Sequence, residues 1–284
     1  MHSVKSSSLT NAAELPFRHY TLRHRAIAWI SRQLFDRYTY TVRHGLIRGM
    51  RRKGGLGWFP AGSQTKEEMF WRRLPLEGLV VYDIGAFHGI LTMFFASRCS
   101  QVISYEPNDV NYARLIENIT LNDLTNVHVR KFGVGSQLGS GTLVYAPEMA
   151  GGGSLHPNAT GSLSQNIDIT MLDHDIPAFG LPAPDLIKID IEGWELEALE
   201  GARETLNAYY PALFLEMHGE TMREKQRKAQ AIVAFLWDAG YTDIVHLETG
   251  ATITPGNETV AAEGHLYCLC PTNSSSHPSK AKSA

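Results

Sequence analysis

Short, mostly apolar runs that stop at an acid set the limits on this fold. Val80-Val81-Tyr82 ends at Asp83, and Val102-Ile103-Ser104-Tyr105 ends at Glu106. Leu186-Ile187-Lys188-Ile189 ends at Asp190, and Leu213-Phe214-Leu215 ends at Glu216, with His218 two residues on. Helical patterns separate the runs. Strands alternating with helices imply a parallel sheet covered on both faces. In such sheets ligands bind outside the carboxyl ends of the strands. Asp83, Glu106, Asp190, Glu216 and His218 are therefore the first candidates for a site.

The first run leads into Gly85-Ala86-Phe87-His88-Gly89, a tight turn that lets a ligand approach the backbone. A helix is expected over 88–98, a strand over 101–106, a helix over 109–122 and a strand over 127–132. Strands are also expected over 139–145 and 167–171, with a flexible glycine-rich loop at 149–155. Residues 179–184 read as a Pro-punctuated connection. After Asp190, Glu192 opens a helix to about Leu206, and acids in its first turn suit the helix dipole. A strand over 211–217, a helix over 225–239 and two last strands, 241–247 and 265–270, complete the pattern. Ahead of the sheet, 65–74 reads as a short helix, 51–57 as a loop and 22–38 as an amphipathic helix. The stretch after Pro271 has the composition of a disordered tail.

With 284 residues, 43% of them hydrophobic, the chain has enough apolar surface for a substantial core. No apolar stretch is long enough to span a membrane, and no secretory h-region follows the start. Cys99, Cys268 and Cys270 form neither a disulfide framework nor a zinc spacing, so free thiols and a cytoplasmic location are expected. Residues 1–73 carry fourteen Lys and Arg against four acids, leaving the remainder strongly acidic. Such an extension can dock on the acidic body or meet an anionic membrane surface. It lacks the interleaved aromatics of a nucleic-acid surface. The organisation expected is a basic, partly helical extension over 1–65, a catalytic domain over 66–271 and a tail over 272–284.

Glu106 lies about twenty residues past the glycine turn, where an acid can accept both hydroxyls of a ribose. Ala86 and Phe87 stand where a diphosphate would need glycine, which disfavours NAD and FAD. Side chains alternate along a strand, so Lys188 shares a face with Asp190, and Glu216 shares one with His218. Adjacent strands would then gather Asp190, Glu216 and His218. Carboxylates with an imidazole poised near neutral pH can orient a hydroxyl and take its proton. They also suit a divalent metal, although none is expected. His88 reads as a cofactor contact or a helix-start cap. His24, His44, His156, His174 and His246 read as surface residues.

Val-Tyr-Asp-Ile-Gly-Ala-x-x-Gly (81–89), Tyr-Glu-Pro (105–107) and Leu-Ile-Lys-Ile-Asp-Ile-Glu-Gly (186–193) together resemble the FkbM family of S-adenosylmethionine-dependent methyltransferases. Asn118, Leu121-Asn122, Asn126-Val127, Gly152-Gly153-Ser154-Leu155 and Thr170-x-Leu172-Asp173 add to the likeness. It extends over about 67–271. The resemblance implies a Rossmann-like class I methyltransferase fold. That is an α/β architecture with a seven-stranded, mostly parallel sheet, an antiparallel last strand and helices on both faces. It implies methyl transfer, usually to a hydroxyl of a sugar, glycan or other small natural product. By position, Asp83, Gly85, Ala86 and Gly89 would surround the methionine part of the cofactor. Glu106 would take the ribose, Pro107 and Asn108 would flank the adenine, and Phe132-Gly133 would pack on it. Related enzymes carry an acid near that last segment, where this chain has Arg130-Lys131. Asp190 would lie beside the methyl donor or near the amino group of methionine; Lys188, Glu216 and His218, read from their place at the strand ends, complete the candidate catalytic set. The glycine-rich stretch 151–153 and the basic extension are the candidates for acceptor binding. The competing readings are a nucleotide- or dinucleotide-dependent Rossmann-type enzyme and a non-catalytic cofactor-binding protein.

Overall fold

The computed structural model describes residues 38–54, 65–145, 163–219 and 221–271. The expected helix over 22–38, apart from its last residue, the loop over 149–155 and the tail lie outside them. A hairpin comes first, β1 (Thr39–Thr41) against β2 (Arg51–Lys53). The sequence reading made 51–57 a loop, and the structure corrects this for 51–53. The cause is tertiary. The Arg51 N–H donates to Asn122 Oδ1 at 2.8 Å, and Asn122 Nδ2 donates back to Arg51 O at 2.7 Å. An asparagine amide thus ties β2 to the end of α3. The Lys53 N–H donates to Asn118 Oδ1 in the same way, so this part of the extension packs on the main domain.

The next helix, α1 (Lys66–Arg73), begins at Thr65, whose hydroxyl accepts the Glu68 N–H, and it buries Trp71. The alternating series follows: β3 (Val80–Ile84), α2 (Ile90–Ala96), β4 (Gln101–Tyr105), α3 (Asp109–Leu121) and β5 (Val127–Arg130). Three strands, β6 (Gly133–Val134), β7 (Gly139–Tyr145) and β8 (Leu163–Thr170), form a small separate sheet ordered β6-β8-β7. Then come α4 (Leu172–Phe179), β9 (Leu186–Ile189), α5 (Glu195–Glu200), α6 (Arg203–Tyr209), β10 (Ala212–Met217) and α7 (Met222–Asp238). The chain closes with β11 (Asp243–His246), β12 (Ala251–Thr252) and β13 (Gly264–Leu269).

The main sheet runs β12-β11-β13-β10-β9-β3-β4-β5. Strands β10, β9, β3, β4 and β5 are parallel, and β13 runs antiparallel to both β10 and β11. The expected seven strands are present. The two-residue β12 is an addition, made where Gly250 (φ +73°) turns the chain back onto β11. Alternation along β3 serves both faces. Val81 belongs to the core cluster that holds Met93, Phe95, Phe214 and Trp71, whereas Tyr82 and Ile84 belong to the one that holds Leu199, Leu206 and Leu236. The single helix expected from Glu192 is two, α5 and α6. Between them Gly201 lies so close to Gly135 that a Cβ would sit 1.9 Å from its carbonyl oxygen. The Pro-punctuated connection begins later than expected, because α4 carries Pro177 and ends at left-handed Gly180. Neighbours β4 and β9 flank β3 on opposite sides, which opens a crevice at the strands' carboxyl ends.

Candidate active site

Register decides which side chains meet in that crevice. Asp83 on β3 pairs across to Lys188 on β9. Asp83 is fully buried; its Oδ2 accepts from Thr92 Oγ1 at 2.6 Å, and Lys188 Nζ lies 3.2 Å from its Oδ1. Lys188 Nζ also donates to Gly85 O at 3.0 Å and stands 3.4 Å from Asp190 Oδ2. Burial alone would lower the lysine pKa, but the charges of Asp83 and Asp190 outweigh it and raise the value. Lys188 is thus committed to the frame of the site.

The turn after β3 is held by backbone. The N–H groups of Gly85 and Ala86 both donate to Tyr105 O at 3.0 Å. Gly85 has φ +83°, and a Cβ there would lie 1.9 Å from Asp190 O, so the turn is packed against the end of β9. Phe87 takes a left-handed conformation (φ +51°) and stacks on the His88 ring at 3.8 Å between centroids. His88 O accepts from Asn118 Nδ2 at 2.9 Å, and a Cβ at Gly89 would reach Leu115.

Glu106 follows β4 and is 5% exposed. Its Oε2 accepts the Phe87 N–H at 2.8 Å, and its Oε1 accepts the Asn108 N–H at 2.9 Å. Burial pushes this carboxyl up to about 7, against the pull of those hydrogen bonds. Asn108 caps α3, its Oδ1 accepting from Val110 and Asn111, and its buried Nδ2 has no partner among the described residues. Sequence reasoning missed Gln165 on β8. It accepts from the Asp109 N–H at 3.0 Å and donates to Pro107 O at 3.3 Å, clamping the turn after Glu106. Gly133 is buried in β6, and half-buried Phe132 lies under the Arg130 guanidinium. Arg130 forks onto buried Asp175 at 2.6 and 2.9 Å, so its charge is neutralised away from the crevice.

The other half of the site follows β9 and β10. His218 Nδ1 lies 2.9 Å from Oε1 of Glu195, which is 1% exposed. His218 Nε2 faces Glu192 at 3.6 Å, Glu216 at 3.6 Å and Asp190 at 3.7 Å. The expected meeting of Asp190, Glu216 and His218 is therefore seen. Burial works against the imidazolium. The hydrogen bond to Glu195, then the charges of Glu195, Glu192 and Asp190, overcome it and raise His218 to about 9. This corrects the expectation of an imidazole poised near neutrality. Burial raises Asp190 and takes Glu192 to about 7. Burial would raise Glu216 too, but the hydrogen bond from His265 and the charges of His218, His265 and Lys188 pull it down to about 2.

Glu192, Glu195 and His265 were not among the sequence candidates. Glu192 and Gly193 are consecutive left-handed residues (φ +55° and +99°), a turn that brings the Glu192 carboxylate back over β9. Glu195 had been read only as a dipole-stabilising acid, yet its Oε1 also accepts the Gly193 N–H at 2.9 Å. His265 sits opposite Glu216 in the β10–β13 register, 3.6 Å from it, and its Nδ1 is 2.6 Å from Glu248. Only the register could have revealed that pair. His246, expected at the surface, is buried; its Nε2 lies 2.6 Å from Glu263 O and its Nδ1 2.8 Å from Thr249. Glu106 and Asn108 form one buried polar corner after β4. Asp190, Glu192 and His218 bring ligand atoms within 4.8 Å of one another, a grouping a metal ion could join.

Comparison with known proteins places this geometry. A family model described as the methyltransferase FkbM domain matches residues 83–242, more than half of the chain. The methyltransferase sdnD of Sordaria araneosa is 28% identical over a match covering 46% of this chain and 62% of that protein. The hexuronic acid methyltransferase AglP of Haloferax volcanii is also 28% identical, over 45% of this chain and 52% of that one. The chain thus spans little more than half the length of these relatives. A crystal structure of methyltransferase FkbM from Methylobacillus flagellatus is 20% identical. Its match covers 68% of this chain and 44% of that one, with a TM-score of 0.45. With the family model matched from the end of β3 to beyond α7, the chain belongs to the FkbM methyltransferase family.

Proposed function

We propose that this protein transfers a methyl group from S-adenosylmethionine to a hydroxyl oxygen of a sugar, glycan or other small natural product. The observation that carries the reading is the pairing of two unlike sites on one sheet edge. One is a carboxylate framed for a nucleoside, and the other is a carboxylate–imidazole cluster beside it.

The residues fit the cofactor. Glu106 Oε1 takes the Asn108 N–H and Asn111 Nδ2, whereas Oε2 takes only the Phe87 N–H and can accept a second bond, here from a ribose hydroxyl. The partnerless Asn108 Nδ2 adds a buried donor beside it. Phe87 fills the place where a dinucleotide fold keeps glycine, which supports S-adenosylmethionine over NAD. Ala86, His88, Gly89, Pro107, Phe132 and Gly133 would complete the cofactor's surroundings. When bound, the cofactor supplies an electrophilic sulfonium methyl.

The chain's own contribution is alignment and proton handling. Alignment of two reactants can be worth about 7–11 kcal/mol. Asp190, Glu216 and His218 orient the acceptor hydroxyl. A C–O bond forms as the C–S bond breaks, its electron pair stays on sulfur, and the hydroxyl proton passes to this cluster. Lys188 is a positioning residue that fixes Asp190 from below. The hexuronic acid specificity in the name of one relative supports a sugar acceptor. Among the described residues no helix is long and apolar enough to cross a membrane.

Calorimetry with S-adenosylmethionine and with NAD tests the cofactor. Binding of the first alone is expected, and preference for NAD would overturn the reading. Transfer of a 13C-labelled methyl to hydroxylated sugars then tests the acceptor atom. A product labelled on nitrogen or carbon would contradict O-methylation.

A further inference from the structure

We propose that Asp190, Glu192 and His218 bind one divalent, oxygen-preferring cation, Mg2+ or Mn2+, on the acceptor side of the crevice. Their ligand atoms converge within 4.8 Å. His218 Nε2 stands 3.6 Å from Glu192 and 3.7 Å from Asp190, too far for hydrogen bonds. In an octahedral ion with bonds near 2.1 Å, adjacent donors are about 3.0 Å apart and opposite donors about 4.2 Å. The observed spacings lie between these values, so the three donors need shift by only about 0.6 Å to close on one ion.

The support around the imidazole is a separate observation. His218 Nδ1 is engaged by Glu195 at 2.9 Å, and Glu195 is almost wholly buried. A buried carboxylate on the far nitrogen holds Nδ1 as the N–H, so the proton a cation would displace is the one on Nε2, which faces Asp190 and Glu192. That is how proteins orient a metal-ligating histidine. Glu216 lies 3.6 Å from the same Nε2 and is held from behind by His265, so it can serve as a fourth ligand or anchor a bound water. Carboxylates with one imidazole suit Mg2+ or Mn2+ better than soft ions. The side chains of Asp190 and Glu192 are 30% and 34% exposed, so coordination positions stay open toward the crevice.

What the ion does rests on the proposed methyl transfer; whether it binds does not. An acceptor hydroxyl in an open position would be acidified and oriented at once. The test is Mn2+ titration of the full chain, stripped with chelator, without cofactor or acceptor. Electron paramagnetic resonance should show one bound Mn2+ per chain, displaced by Mg2+. Electron spin-echo modulation should show coupling to an imidazole nitrogen. Glu192→Gln should weaken Mn2+ at least tenfold, and Glu117→Gln, a surface acid paired with Lys53, should not. Free Mn2+ throughout, bound Mn2+ without nitrogen coupling, or undiminished binding in Glu192→Gln would overturn the proposal. If Glu192→Gln proves unfolded by circular dichroism, the nitrogen coupling in the wild type decides. Calorimetry with S-adenosylmethionine on the chelated protein separates the two readings. Absent cofactor binding there refutes the methyl-transfer reading and leaves the Mn2+ result standing.

Discussion

The acids after β3 and β4 and those after β9 and β10 belong to one sheet edge, yet they are held in opposite ways. Asp83 and Glu106 are at most 5% exposed; Asp83 Oδ2 and both Glu106 oxygens are tied at 2.6–2.9 Å to a hydroxyl and to backbone N–H groups, and Asp83 Oδ1 faces Lys188 at 3.2 Å. Asp190, Glu192 and Glu216 have side chains 30–36% exposed and face one imidazole at 3.6–3.7 Å. The first half is pre-organised by short hydrogen bonds, as suits a ligand of fixed shape. The second is organised by charge from several elements and left open, as suits an exchangeable reactant. On the proposed reading, rigidity would serve the cofactor and openness the acceptor.

The contrast can be broken at Gly85, where the halves touch. Gly85→Ala puts a methyl 1.9 Å from Asp190 O at a left-handed φ. A loss of about 3 kcal/mol or more is expected in urea unfolding, with cofactor binding lost too. Unchanged stability would mean that the halves are not rigidly joined. Next comes His218→Gln. Turnover should fall about hundredfold while cofactor affinity stays within twofold. Equal losses in both would erase the distinction between the halves. Glu106→Gln should do the reverse, weakening S-adenosylmethionine about tenfold by calorimetry with little effect on turnover at saturation.

The smallest effect is a pH dependence of cofactor affinity. Glu106 is raised to about 7, so it is largely protonated at pH 6 and ionised at pH 8. Ribose hydroxyls are better donors to the ionised form. Affinity should therefore drop roughly fivefold from pH 8 to pH 6, and Glu106→Gln should flatten the profile. A flat wild-type profile would show that Glu106 is not the ribose acceptor.

Much of the fold could be read along the chain, because its signals are local. Apolar runs ending at Asp83, Glu106, Asp190 and Glu216 mark strands, and the helical spacing between them marks a parallel sheet. The β1–β2 hairpin could not be read so, because Arg51–Lys53 is strand through pairing with β1 and through contacts to Asn122 and Asn118, far along the chain. Nor could β12, which depends on how Gly250 returns the chain. The site divides in the same way. Asp83, Glu106 and Asn108 lie close in sequence to the turns that use them. Glu195 and His265 reach His218 and Glu216 through a helix start and an antiparallel strand, and no local pattern announces either contact.

By itself the sequence determined the alternation of strand and helix, the edge where polar groups gather, and Glu106 as the acid that follows β4. Each of these follows from side-chain periodicity and the residues adjoining a turn. Tertiary structure alone decided that four carboxylates surround one imidazole and that His218 is raised rather than neutral. Electrostatic fields sum over neighbours in space, and strand register brings those neighbours together from segments far apart in the chain.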